Sequence, residues 1–208
     1  MSVLNKLAYA LNRRDEVPNQ ELADAIVKKK DRKGVEELVL NLGNKNKSIQ
    51  SDCIKTLYEI GERDPGLLSG QIKAFVTLLD HSNNRMVWGG MSALARIAPT
   101  DPSGIYKHLA KIMEAADKGS VITKDNAVRI LITLADDKRY SEEALSFLLD
   151  QLRNCPTNQL PMYAESAIDV MRLKYKDDFI RVLTKRIPEI EKETKQKRVE
   201  NVIKKLKK

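Results

Sequence analysis

The sequence predicts an all-α fold, an α-α superhelix of about five helical hairpins with a capping element at each end. Three observations predict it. A turn is written twice: TLYEIGERDP at 56–65 returns as ALARIAPTDP at 93–102, 37 positions later. The same offset threads three columns through four copies: Leu57, Leu94, Leu131, Ile168; Ile60, Ile97, Leu134, Met171; and the uniformly small Cys53, Gly90, Ala127, Ala164. Aromatic residues are only 5% of the chain, and Gly and Pro number 9 and 7, which favours helix over sheet.

The elements follow in order. An N-terminal helix is expected at about Val3–Arg13, offering Val3, Leu4, Leu7 and Leu11. A second, about Asn19–Lys30, offers Leu22, Ala23 and Ile26. Residues 1–30 are thus read as a cap, 31–187 as repeats, and 188–208 as a closing cap of one domain, 1–208. Each repeat is a first helix, a turn, a second helix and a loop. The second helices carry apolar residues at i, i+3, i+4 and i+7, the spacing of a buried stripe. They are Val35, Leu38, Val39, Leu42; Ile72, Phe75, Val76, Leu79; Leu109, Ile112, Met113, Ala116; and Leu145, Leu148, Leu149, Leu152. A fifth set, Phe179, Val182, Leu183, ends at Arg186, where the pattern fades. Asp64 and Asp101 are expected to cap these helices and Pro65 and Pro102 to fill their first positions. In later copies Ser141 and Asp177 or Asp178 are expected to do the capping. One hairpin cannot bury its own apolar face, so neighbours must stack.

The stretch LLDHSNNRMVWGGMSALARIA, 78–98, resembles the HEAT repeat: Leu-Leu, an Asp-containing loop, a Val-Arg-type helix start and an Ala-Leu-x-x-Ile-Ala ending. The resemblance spans roughly Asp31–Arg186. Trp88 stands where that pattern usually has Arg, so the Asp–Arg ladder joining units in many members is not expected. The resemblance implies that the second helices line the concave, ligand-facing side. Reading outward-pointing positions from the stripe gives Glu36, Glu37, Leu40; Lys73, Ala74, Thr77; Ala110, Lys111, Glu114; Ser146, Phe147, Asp150; and Ile180, Arg181, Thr184. Acidic and basic groups are mixed there, with Leu40, Phe147 and Ile180 read as exposed. A protein or peptide suits such a surface better than a phosphate backbone. The candidate partner-binding residues are Glu37, Leu40, Lys73, Thr77, Lys111, Glu114, Phe147, Asp150 and Arg181.

Charge supplies the alternative, a nucleic-acid-binding protein using its basic ends. The net charge is +8, and residues 185–208 hold ten Lys or Arg against four Glu, a net of +6 that leaves +2 for the rest. Lys28, Lys29 and Lys30 form a second cluster. A polyanion would meet these three together with Lys197, Arg198, Lys204 and Lys205, extended by Lys195, Lys207 and Lys208. Against this, Glu191–Lys195, Glu193–Lys197 and Glu200–Lys204 have helix spacing for mutual neutralisation, while Ile190, Val199, Val202, Ile203 and Leu206 form an apolar side for capping.

No catalytic constellation can be assembled, so the expectation is a non-enzymatic scaffold with no cofactor, metal or small-molecule substrate. His81 and His108 lack an acidic partner at ligand spacing. Cys53 sits in the small column, and Cys155 precedes Pro156 in a loop. Gly89-Gly90 lies inside a helix, so it is no phosphate loop. HEAT-type hydroxylases carry His-Glu pairs, but Ser82 follows His81 and Leu109 follows His108. HEAT-like glycosylases use several aromatics beside a carboxylate, whereas Trp88 stands alone and is read as packing. Phycobilin lyase-like proteins are supported by fold only. Two distant cysteines, no signal peptide and no long apolar run point to the cytoplasm and no membrane span.

Overall fold

The computed structural model describes residues 2–207, and every regular element among them is helical. The chain forms two compact units, Met1–Ala127 and Val128–Lys208.

The first unit opens with a single 3-10 turn, Val3–Lys6, rather than the expected helix to Arg13. The reason lies in its amides. Ala8 N–H is taken by the Asn19 side chain at 2.9 Å and Tyr9 N–H by Asp52 at 2.7 Å, so neither feeds a helical ladder. Val3 and Leu7 are buried as expected, but Leu11 is exposed. Helices α1 (Val17–Lys29) and α2 (Arg32–Leu40) follow, the second capped by Asp31, which accepts from Gly34 N–H at 2.9 Å. The first helices α3 (Lys47–Arg63) and, later, α5 (Asn84–Ile97) start on Asn46 and Asn83, side chains that bond N–H groups in the first turn. Between them lie two 3-10 turns, the short α4 (Ile72–Thr77) and a third 3-10 turn, Leu78–Asp80. The second half of the next hairpin is also divided, into α6 (Pro102–Tyr106) and α7 (Leu109–Lys118). The expected continuous second helices are therefore broken, where Gly66 and Gly70 interrupt one and Lys107 and His108 the other. Helix α1 packs on α3, α3 on α5, and α2 and α4 against those first helices.

The small column is buried throughout its length: Cys53, Ala127 and Ala164 are fully buried, and Gly90 is buried. A β-carbon at Gly90 would stand 3.0 Å from the Phe75 carbonyl oxygen, so glycine lets α5 approach α4. Leu57, Leu94, Leu131, Ile60, Ile97 and Leu134 are fully buried, whereas Ile168 and Met171 in the fourth copy are half-buried. That copy's first helix ends early, at Ala167, and continues as a 3-10 turn.

The boundary between the units falls within α8 (Val121–Asp136). In the second unit α9 (Ser141–Asn154) packs on α11 (Leu173–Arg186), and α10 (Leu160–Ala167) on α12 (Glu193–Lys207). Ser141 is the first residue of α9, not its cap, and its hydroxyl donates back to the Lys138 carbonyl at 3.3 Å. Asp177 and Asp178 lie inside α11, which starts four residues before the first of them. Helix α12 buries Val199, Val202 and Ile203, with Ile190 ahead of it, so the expected apolar capping side is present.

Candidate functional site

The second helices of the first unit present the expected side chains unevenly. Leu40 is 80% exposed. Lys73 and Thr77 are exposed on α4. Glu37, by contrast, is half-buried and committed to structure: one oxygen takes the Ser2 hydroxyl and the other accepts from Val3 N–H at 3.0 Å. It ties down the N-terminal turn. Lys111 bridges Asp80 and Glu114, and Glu114 also takes Lys118 at 2.8 Å. Hydrogen bonds to Asp80 and Glu114 raise the Lys111 ammonium above its ordinary value, and bonds from Lys118 and Lys111 hold Glu114 below its own. These residues line a groove of about 350 Å³ with Leu79, His81 and Val87.

In the second unit, Phe147 and Ile180 are half-buried rather than exposed. Each is next to a fully buried neighbour on its helix, Leu148 and Phe179, and packs at the edge of the apolar stripe. Asp150 and Arg181 are exposed, paired with Arg153 and Asp178 respectively. Between α9 and α11 lies a cleft of about 400 Å³, lined by Arg153, Asn154, Asp178, Arg181, Val182, Lys185, Arg186 and Glu189. Arg186 is the position where the apolar pattern fades, yet its side chain is only 10% exposed. Its guanidinium donates to the Leu152 and Cys155 carbonyls at 3.0 and 2.8 Å and to Glu189 at 2.9 Å. It closes the last turn of α9, whose terminal carbonyls have no partner within the helix.

The basic ends differ from each other. Lys28 and Lys29 are exposed in the last turn of α1, but Lys30 adopts a left-handed conformation (φ 50°) and pairs with Asp64. At the other end only one of three expected neutralising pairs forms, Glu193–Lys197 at 2.6 Å. Glu191 precedes α12, so Lys195 reaches the Asn158 side chain at 2.7 Å instead. Arg198 makes a two-point pair with Glu165 at 2.8 and 2.6 Å. Lys204, Lys205 and Lys207 have no ion pair among the described residues, and they line a groove of about 540 Å³ with Arg198, Asn201 and Glu165. Lys208 lies outside the described residues.

No protein-family model matches the chain, and no curated protein is similar to it in sequence. Solved structures are similar in fold. A designed armadillo repeat protein in complex with the peptide (KR)4 aligns with a TM-score of 0.68 over 90% of this chain and 86% of its own, at 16% identity. A computationally designed armadillo repeat protein for modular peptide recognition aligns at 0.65 over 97% of each chain, at 17% identity. An engineered protein aligns at 0.66 over 100% of this chain and 99% of its own, at 18% identity. The chain has the fold of an armadillo/HEAT-like repeat solenoid.

Sequence reasoning missed a charge network around the buried Lys55 in the first unit of this solenoid. Lys55, on α3 and only 6% exposed, pairs with Glu16 at 2.9 Å and Glu59 at 2.7 Å. Glu16 also takes Arg85 at 2.7 Å, and Glu59 takes Arg63 at 2.6 Å. Trp88, half-buried on α5, packs tilted against Tyr58 with ring centroids 5.6 Å apart, and Lys55 lies over the Tyr58 ring at 4.9 Å. Burial alone would raise Glu59, but hydrogen bonds from Arg63 and Lys55 outweigh it and leave the carboxyl below its ordinary value. Burial would lower Lys55, but Glu59 and Glu16 outweigh it and raise the ammonium instead. The signal available was Lys55–Glu59 at i, i+4. The partner Glu16 is 39 positions away and could not be placed.

The armadillo/HEAT-like solenoid carries no metal-binding group among its described residues. His81 is half-buried and its Nδ1 accepts from Asn83 N–H at 2.9 Å, while His108 precedes α7 without capping it by its side chain. Cys53 and Cys155 are free and buried, and burial pushes the Cys53 thiol up to about 12. Cys155 lies in the connection after α9, as expected, as that helix's C-cap, and it is buried beneath Arg186. No helix among the described residues is long and apolar enough to cross a membrane.

Proposed function

We propose that this solenoid is a non-enzymatic scaffold that binds a protein or peptide along its second helices, the concave side of the repeats. The observation that carries this reading is the set of exposed side chains those helices present: Leu40, Lys73, Thr77 and Glu114 in the first unit, Asp150 and Arg181 in the second. An 80% exposed Leu40 among mixed charges suits a partner's side chains. The comparisons support it in kind, since one neighbour was solved with a bound peptide and another was designed for modular peptide recognition. Two free buried thiols support a cytoplasmic location. The test is selection from a random peptide library displayed on phage. Selected peptides should lose binding to Leu40→Asp, Thr77→Glu or Arg181→Glu. They should tolerate Glu21→Lys and Ser166→Lys, at exposed positions of the first helices α1 and α10. Selection that yields no binder, or binders indifferent to all three second-helix changes, overturns the reading.

One observation favours a second reading, in which the α10–α12 groove takes a nucleic-acid phosphate backbone. Lys204, Lys205 and Lys207 have no ion pair among the described residues, and the expected Glu200–Lys204 contact does not form.

A further inference from the structure

We infer that the α9–α11 cleft selects acidic peptide segments, an inference that rests on the scaffold reading above and gives its partner a charge. The cleft is on the second-helix side of the second unit and is built rather than incidental. Its floor is Val182 and the nine-tenths buried Arg186, whose guanidinium is held by two backbone carbonyls and by Glu189. A floor fixed by so many bonds has one geometry, and it needs no ordering when a ligand arrives.

The mouth carries three further cations, Arg153, Arg181 and Lys185. Lys185 has no acidic partner among the described residues. Arg153 and Arg181 are paired only to Asp150 and Asp178, three residues away on their own helices, and these carboxylates are 53% and 44% exposed. Such exposed neighbours hold each other weakly, so an incoming carboxylate can replace them at little cost. Two of the three are guanidiniums, whose planar fork receives a carboxylate through two parallel hydrogen bonds. Among the lining residues four cations face two carboxylates, Asp178 and Glu189, and with Asp150, which holds Arg153, the count is four to three. The uncompensated charge is that of Lys185, so a basic segment would meet a net positive lining here. The shared fold therefore does not bring with it the ligand charge of the neighbour that holds (KR)4.

The test titrates the full chain with three fluorescent octapeptides, (DE)4, (KR)4 and (GS)4, at low and at about 150 mM salt. (DE)4 should bind, more tightly at low salt, while (KR)4 and (GS)4 should not. Arg181→Glu with Lys185→Glu should weaken (DE)4 by about tenfold or more, as expected for two reversed rim charges. Lys138→Glu, exposed in the turn before α9, should leave binding unchanged. Circular dichroism should confirm that the doubly substituted protein melts like wild type, because both altered side chains are exposed. Equal binding of (KR)4, or (DE)4 binding that survives the cleft substitutions and vanishes with Lys204→Glu, Lys205→Glu and Lys207→Glu, overturns the inference. If (DE)4 fails while library-selected peptides still bind the second helices, the acidic preference falls and the scaffold reading stands. If both fail, both fall.

Discussion

Asp64 and Asp101 begin the same Asp-Pro dipeptide, yet only Asp101 caps a helix. Its carboxylate accepts from Gly104 N–H at 2.8 Å, whereas Asp64 makes no capping bond and turns to Lys30. Sequence read both alike because the dipeptide is local and the competitor, Lys30, is 34 positions away. Asp101→Ala should cost about 1 kcal/mol of stability. Asp64→Ala should cost less, since an ion pair with an exposed lysine contributes about 0–1 kcal/mol. Urea midpoints of the two variants check the order. Arg186 hid from sequence for a different reason: a cation at the end of an apolar stripe looks like the stripe's end. Arg186→Leu strips the Leu152 and Cys155 carbonyls of their donor and should cost about 1–3 kcal/mol. Arg181→Leu, exposed on the same helix, should cost under about 1 kcal/mol. The network around the buried Lys55 sets a pH dependence. Glu16 and Glu59 sit below their ordinary 4.5, so their contribution is complete above that value. It is lost as pH falls through the lower folded values, because the unfolded chain then binds more protons. Chemical denaturation between about pH 5 and 3 should show this loss, and it should be shallower in Lys55→Met.

At the scale of elements, the column of small residues was the most legible feature, because close helix packing permits little else at a fixed position. Cys53, Gly90, Ala127 and Ala164 are all buried. What sequence could not show was how the second helices break, or that the N-terminal segment gives its amides to Asn19 and Asp52 instead of forming a helix. Both outcomes depend on side chains brought in from other elements. The same limit applies to Phe147 and Ile180: a stripe edge tilted by packing decides whether such a residue is half-buried, and periodicity does not fix that tilt. Gly89 gives a test in which two effects oppose each other. Gly→Ala inside a helix gains about 1 kcal/mol from propensity. Here the added carbon would stand 2.5 Å from Ile54 Cγ1, one bond from the β-branch of a fully buried side chain that cannot swing away. Overpacking of this kind costs about 1–3 kcal/mol, so Gly89→Ala should be destabilising on balance. Ala127→Leu in the fully buried small column should cost a similar amount, whereas Lys124→Leu, one turn earlier and half-buried, should change little. Thermal or urea midpoints equal to wild type for both Gly89→Ala and Ala127→Leu would mean that α3, α5 and α8 pack less closely than described.

Over the whole molecule, the uneven placement of charge was plain from composition, but its availability was not. Spacing suggested three Glu–Lys pairs on the last helix, and one forms; Glu191–Lys195 fails because α12 begins after Glu191 and Lys195 finds Asn158, and nothing in the structure explains the missing Glu200–Lys204 contact. Helix α12 thus has two faces with separable duties. Val199, Val202 and Ile203 are buried, while Lys204, Lys205 and Lys207 stand in the open. Val202→Asp would bury a charge with no partner and should cost more than about 3 kcal/mol, whatever the protein binds. Reversing Lys204, Lys205 and Lys207 to Glu touches no core residue. Its stability cost should be confined to about 1–2 kcal/mol, from placing acids at the negative end of the helix dipole. The same reversal decides the second functional reading. If these lysines neutralise about three phosphates of a duplex, the logarithm of the association constant should fall with the logarithm of salt at a slope of about −3, and reversal should abolish that dependence. If wild type at about 150 mM salt binds a mixed-sequence duplex no better than the reversed variant, the lysines only solvate the cap and balance its dipole. The partner surface is then left to the second helices, where Leu40 and Arg181 already stand exposed.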